Sequence, residues 1–115
     1  MAGVLRGELW WANLPDPIGS GPGYRRPVVI VQSNPFNQPF LRTVIVAIVT
    51  SNVLWADSPS GVLLTTDVSG LAKPSVVNLT QLFTIDRTRL SEHIETLPPW
   101  VMESIDDALR MVLQL

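Results

Sequence analysis

The chain has no cysteine, and among its 115 residues there is one histidine (His93), one lysine (Lys73) and one tyrosine (Tyr24). Without cysteine there is no disulfide framework and no thiolate metal site. That absence fits a cytoplasmic protein. A single histidine excludes acid–base catalysis by a pair of imidazoles and leaves a His-based metal cluster short of ligands. His93 stands in Leu90-Ser91-Glu92-His93-Ile94-Glu95, apart from the basic segments, and reads as a surface residue. Carboxylates are scattered. Asp16, Asp57, Asp67 and Asp86 fall in separate turns, and Glu103, Asp106 and Asp107 share the outer face of a helix. No ligand spacing for a two-metal nuclease emerges, and neither a metal nor another cofactor is expected. Only 16% of residues are charged, the formal net charge is −2 and the pI is about 5.1. That argues against a broad electrostatic nucleic-acid binder but leaves room for a small cationic site. No apolar run approaches the ~18–20 residues of a membrane span. Residues 1–11, interrupted by Arg6 and Glu8, are not expected to form a signal peptide.

Hydrophobic residues make up 46% of the chain, enough to fill a core. The length predicts a single domain over residues 1–115. A domain this small leaves much surface exposed, which favours a homodimer. Residues 8–12 read as a first strand, 26–32 as a second and 43–50 as a third. The third is almost wholly apolar (Val44-Ile45-Val46-Ala47-Ile48-Val49), so both its faces should be buried. Residues 62–65, 75–79 and 82–86 read as shorter strands, and 34–40 as a turn. Residues 15–23 hold three prolines and three glycines and read as a long binding loop or lid. Strands broken by turns point to a small barrel or sandwich. At the C-terminus the period changes. Val101, Ile105, Ala108, Leu109 and Val112 form the stripe of an amphipathic helix, with Pro98 and Pro99 in its first turn. Glu103, Asp106, Asp107 and Arg110 take the other side.

The segment Tyr24-Arg25-Arg26-Pro27 places two of the eight Lys/Arg residues side by side after a glycine-rich stretch. Pro27 forces an extended backbone at Arg26. A guanidinium offers a planar fork of donors matched to phosphate. Thr50 and Ser51 end the buried strand, where a hydroxyl can donate to a phosphoryl oxygen or orient a 2′-hydroxyl. Alternation puts Arg25 and Arg26 on opposite faces, and likewise Trp10 and Trp11. One of those tryptophans should face a groove, where an aromatic ring can stack an RNA base. Most of Trp10, Trp11, Trp55 and Trp100 should pack in the core. Taken alone, Arg-Pro at a strand start and Thr at a strand end are also common structural punctuation.

Four segments in order resemble the MazF/PemK family of toxin–antitoxin endoribonucleases. They are Arg6-Gly7-Glu8-Leu9-Trp10-Trp11; Gly23-Tyr24-Arg25-Arg26-Pro27-Val28-Val29-Ile30-Val31; the strand 43–50 running into Ser51-Asn52; and Ser75-Val76-Val77-Asn78 followed by Gln81-Leu82-Phe83-Thr84-Ile85-Asp86. The resemblance implies a mainly β fold, a small SH3-like barrel of the CcdB/MazF toxin type with a C-terminal amphipathic helix. It implies a homodimer that cleaves single-stranded mRNA without a metal, leaving a 2′,3′-cyclic phosphate and a 5′-hydroxyl. It also implies a cognate antitoxin peptide that blocks the RNA site. Arg26 matches the family's catalytic arginine and Thr50 its catalytic threonine. Arg25, Tyr24, Ser51, Asn78, Gln81 and Trp11 are the candidate RNA contacts. Some members use an Arg-x-Asp pair on a later strand, but Asn78 and Thr80 stand there in this chain. Two other classes remain: a non-enzymatic protein-binding module, and a gyrase-poisoning CcdB-like toxin. The second acts through C-terminal residues that the ending Met111-Val112-Leu113-Gln114-Leu115 does not match.

Overall fold

The computed structural model describes residues 3–15 and 24–115, so most of the proline- and glycine-rich loop read as a lid, residues 16–23, lies outside the described residues. Six strands form one antiparallel sheet: β1 (Glu8–Leu14), β2 (Tyr24–Ile30), β3 (Thr43–Thr50), β4 (Gly61–Leu64), β5 (Ser75–Asp86) and β6 (Leu90–Thr96). Their spatial order is β4-β5-β3-β2-β1-β6. A short helix α1 (Thr66–Ser69) follows β4, and the helix α2 (Pro99–Leu113) ends the chain.

The sheet buries both faces by different means. On one face Leu9, Val29, Ala47, Val49 and Val77 pack against Val101, Ile105 and Ala108 of α2. Those three helix residues are the apolar stripe legible in the sequence, and Pro99 occupies the first turn, where a missing N–H costs nothing. On the other face Ala12, Val28, Ile30, Val44, Val46, Ile48 and Ile85 pack together with no helix residue among them. A sheet can bury such a face only by curling on itself, which makes a half-barrel. β3 serves both clusters, hence its nearly continuous apolar sequence.

Four expectations change. The segments 75–79 and 82–86 are one strand, β5, bent where the pairing jumps from Ala47↔Leu82 to Ile48↔Asn78. Asn78 holds that bulge: its Oδ1 accepts from the Thr80 N–H at 3.0 Å and the Thr80 hydroxyl at 2.6 Å. Strand β6 was not read at all, because an edge strand with one solvated face can be mostly polar. It pairs with β1 and brings His93 to 5.5 Å from Trp10, edge to face, with Nε2 3.6 Å from Glu8 Oε2. Nor is any of the four tryptophans fully buried. Trp10 and Trp11 are half-buried and Trp55 and Trp100 exposed, since Val, Ile and Leu fill the cores. Asp106 is not merely solvated either: Arg6 reaches it at 2.6 Å and ties the N-terminal segment to α2.

Gly7 leads into β1 at a φ of 92°, a left-handed conformation that a side chain resists. From there its N–H donates to Ile30 and its carbonyl accepts from Leu97. One residue thus joins the end of β2 to the approach of α2.

Candidate functional site

Strand β1 runs two residues further than its sequence indicates, and β2 begins two residues earlier. Both basic residues therefore sit inside a ladder, with Asn13 opposite Arg25 and Ala12 opposite Arg26. Between β2 and β3 the register pairs Val28 with Ile48. Counting two residues further along both strands sets Arg26 against Thr50. Each shares the face of Val28 and Ile48, so the two expected catalytic side chains leave the sheet on the same side. Thr50 Oγ1 accepts from the Asn52 N–H at 3.1 Å. A hydroxyl that accepts in this way still has its own proton to donate. Asn52 in turn accepts from the Leu54 N–H at 3.3 Å and starts the 3-10 turn Val53–Asp57.

Arg25, on the opposite face, lies over the Trp11 ring, with its guanidinium carbon 4.3 Å from the ring centroid. It also reaches Glu92 on β6 at 3.3 Å, with both side chains more than half exposed. A pair that exposed is weak and salt-screened, so the guanidinium can leave it at little cost.

Beside these residues opens a cavity of about 300 Å³. Trp11, Arg25, Arg26 and Ser51 line it, and so do Leu71, Lys73 and Ser75. Arg26 thus borders both the Thr50 side and the Trp11 side of the strand ends. None of the ten lining residues is acidic. Three of the chain's eight Lys/Arg residues meet here. The cavity suits an anion flanked by a planar ring.

The other candidates lie elsewhere. Tyr24 is exposed at the start of β2 with a φ of 61°, opposite Leu14. For a non-glycine residue that left-handed conformation is strained, by roughly 1–3 kcal/mol. Asn78 is buried, its carbonyl is committed to Thr80, and its amide lies 3.4 Å from Gln81 Oε1. It can reach RNA only if the β5 bulge opens. Neither Asn78 nor Gln81 lines the cavity. Lys73 and Ser75 do, and sequence reasoning gave them no role. The available signal was compositional: Lys73 is the chain's single lysine, placed just before a proline and a strand.

Residues 5–113 match the PemK-like, MazF-like toxins of type II toxin–antitoxin systems. The chain is 41% identical over 112 residues to endoribonuclease MazF6 of Mycobacterium tuberculosis, covering 97% of this chain and 98% of that one. To endoribonuclease EndoA of Bacillus subtilis it is 36% identical over 112 residues, covering 97% and 96%. The fold matches the solved Mycobacterium tuberculosis toxin MazF-mt6 with a TM-score of 0.78 at 26% identity, over 94% of this chain and 97% of that one. The chain belongs to the PemK-like, MazF-like toxin family of type II toxin–antitoxin systems.

Proposed function

We propose that this toxin, an endoribonuclease like its relatives, cuts single-stranded mRNA with the RNA's own 2′-hydroxyl as nucleophile. The 2′-oxygen bonds to the adjacent phosphorus as the bond to the 5′-oxygen breaks. The 2′-hydroxyl loses its proton, the leaving 5′-oxygen gains one, and the products carry a 2′,3′-cyclic phosphate and a 5′-hydroxyl. Arg26 stabilises the charge that builds on the phosphoryl oxygens, a preorganised electrostatic role. Thr50 donates its hydroxyl to the same phosphate and holds it in line. Trp11, Arg25, Ser51 and Tyr24 take flanking bases and phosphates, with Gln81 further out along β5. The single observation that carries this reading is the β2–β3 register, which sets Arg26 and Thr50 on one face, with Arg26 also lining a cavity without carboxylates.

The reaction is metal-independent in this reading. No group of three or more His, Cys, Asp or Glu side chains among the described residues is placed to hold an ion. Digestion of a long RNA in excess EDTA, with primer extension to map the cuts, is the test. Undiminished cleavage is expected, and loss of cleavage restored by magnesium would overturn the mechanism.

A cognate antitoxin neutralises the toxin, as the family description implies. An acidic–hydrophobic antitoxin segment would place carboxylates near Arg25 and Arg26 and apolar side chains against Trp11 and Leu71, displacing RNA as it folds. The active form is a homodimer in the cytoplasm. Exposed Trp100, Met111 and Leu63 around an open groove between α2 and β4 supply apolar area for such assembly.

A further inference from the structure

Lys73 stands on a turn that is pinned at three points. Gly70 closes α1 at a φ of 74°, and its N–H donates to Thr66. The Leu71 N–H donates to the hydroxyl of Ser69, a fully buried side chain, at 3.0 Å. The hydroxyl of Ser75, also buried, donates to the carbonyl of Lys73 itself at 3.0 Å. Pro74 then restricts the Lys73 backbone to extended conformations. A turn fixed this firmly presents its side chain from a set position. From there Lys73 lines the same cavity as Arg25 and Arg26. A surface lysine needs no such mounting.

Four other arginines lie away from the cavity, in contacts that serve the fold. Arg6 pairs with Asp106, Arg110 with Asp107, Arg89 donates to Asn13, and Arg87 is buried on backbone carbonyls. Arg25, Arg26 and Lys73 instead line one cavity, in a chain of net negative charge. Three cations across about 300 Å³ exceed what a single scissile phosphate needs. Their combined charge would match two phosphates of one strand.

We propose that Lys73 binds the phosphate next to the scissile one, fixing the register of the RNA strand while Trp11 carries the intervening base. This rests on the ribonuclease reading of Arg26 and Thr50. Lys73 is a substrate-positioning residue, and an ammonium suits it because it supplies a compact charge without a required approach geometry.

The test uses the full chain and a short single-stranded RNA containing one mapped cleavage site. Lys73→Gln should raise KM about 3–10-fold and leave kcat within about twofold, as expected when binding is shared between ground and transition states. Removing one phosphate contact should also flatten the plot of log kcat/KM against log salt by about 0.7, the value for one contact on a single strand. Lys73→Arg should restore both. Substrates carrying one neutral methylphosphonate linkage at successive positions locate the contact. At one flanking position the modification should weaken wild type but leave Lys73→Gln unaffected. If Lys73→Gln keeps the wild-type KM and salt slope, or its effect adds to the phosphonate effect at every position, the proposal is overturned. An RNA left uncut by wild type, or cut normally by Arg26→Ala, would instead overturn the underlying ribonuclease reading.

Discussion

Arg87 and Arg26 carry the same guanidinium into opposite surroundings. Arg87 is buried, 6% exposed, and its fork donates to the carbonyls of Gln38, Leu41 and Asn37 at 2.6, 3.2 and 3.1 Å. Only its Nε finds no acceptor among the described residues. There the arginine supplies backbone partners that the 34–41 turn lacks, and both of its terminal nitrogens are committed to the fold. Arg26 is exposed beside a cavity with no acidic lining. A buried arginine surrounded by carbonyls holds the structure, whereas an exposed one that lines an open cavity can meet a ligand. Exposure separates the roles, and the residue type does not.

Exchanging the roles by mutation should break the comparison most sharply at Arg26. Arg26→Ala should cost ~100–1000-fold in cleavage rate, the usual effect of deleting one preorganised donor. Its urea midpoint should stay near wild type, because exposed side chains seldom contribute more than about 0.5 kcal/mol. Arg26→Lys should recover little, since it keeps the charge and loses the planar fork. A large loss of stability in Arg26→Ala would place this arginine in the same class as Arg87.

Arg87→Ala should do the reverse. It leaves three carbonyls near Asn37, Gln38 and Leu41 without their donor, at about 3 kcal/mol of unfolding free energy. Urea denaturation measures the loss. Cleavage by the fraction still folded should be nearly unchanged. If cleavage by folded protein falls as far as it does for Arg26→Ala, the 34–41 turn is coupled to the site.

Arg25→Ala sharpens the contrast within a single dipeptide. Arg25 faces Trp11 rather than Thr50, so its loss should cost only a few-fold, about 1 kcal/mol of cation–π and phosphate contact. Trp11 fluorescence should report the uncovered ring. If Arg25→Ala were inactive and Arg26→Ala active, the face assignment of the two arginines would have to be exchanged.

How far these roles could be read in advance depended on whether the signal was local. Strand β3 was legible to the residue, because an unbroken apolar run ends in Thr at both sides. The α2 stripe was legible for the same reason, its period being carried by neighbours in sequence. That Arg26 and Thr50 would share a face needed only alternation and one register. Strand β6 was hidden, since its pairing with β1 is settled by what Trp10 and Trp11 already offer rather than by its own polar residues. The buried state of Arg87 was hidden too. It depends on carbonyls about fifty residues away. Lys73 became a candidate only once Gly70, Ser69 and Ser75 had fixed the turn beneath it, and none of those bonds has a pattern in the chain. Asn78 shows the converse. Its motif position marked it as an RNA contact, but tertiary structure gave it the bulge to hold.

The smallest expected effect concerns the residue that introduces Arg87. Asp86 caps the 3-10 turn Arg87–Arg89, its Oδ1 accepting from the Thr88 N–H at 2.9 Å and the Thr88 hydroxyl at 2.8 Å. The Thr88 N–H bond first, then its hydroxyl, hold the carboxyl below its ordinary value, with a minor contribution from Arg42 and Arg89. A depressed folded value means that the charged form stabilises the native state. That contribution is complete above the unfolded carboxylate's pKa of about 4, and it fades as pH falls through the lower folded value. Asp86→Asn keeps an acceptor oxygen for Thr88 and removes the charge. Its Tm should be slightly below wild type at pH 7, and the gap should narrow steadily below about pH 4. A gap that widens on acidification would contradict the sign. The same scan in an Arg87→Ala background decides what the cap is for. If the cap acts by seating Arg87 on its carbonyls, the pH-dependent gap should shrink when Arg87 is gone, because contacting residues in one network do not add. If the gap is unchanged, Asp86 serves only its own turn, and the burial of Arg87 is maintained by the 34–41 segment alone.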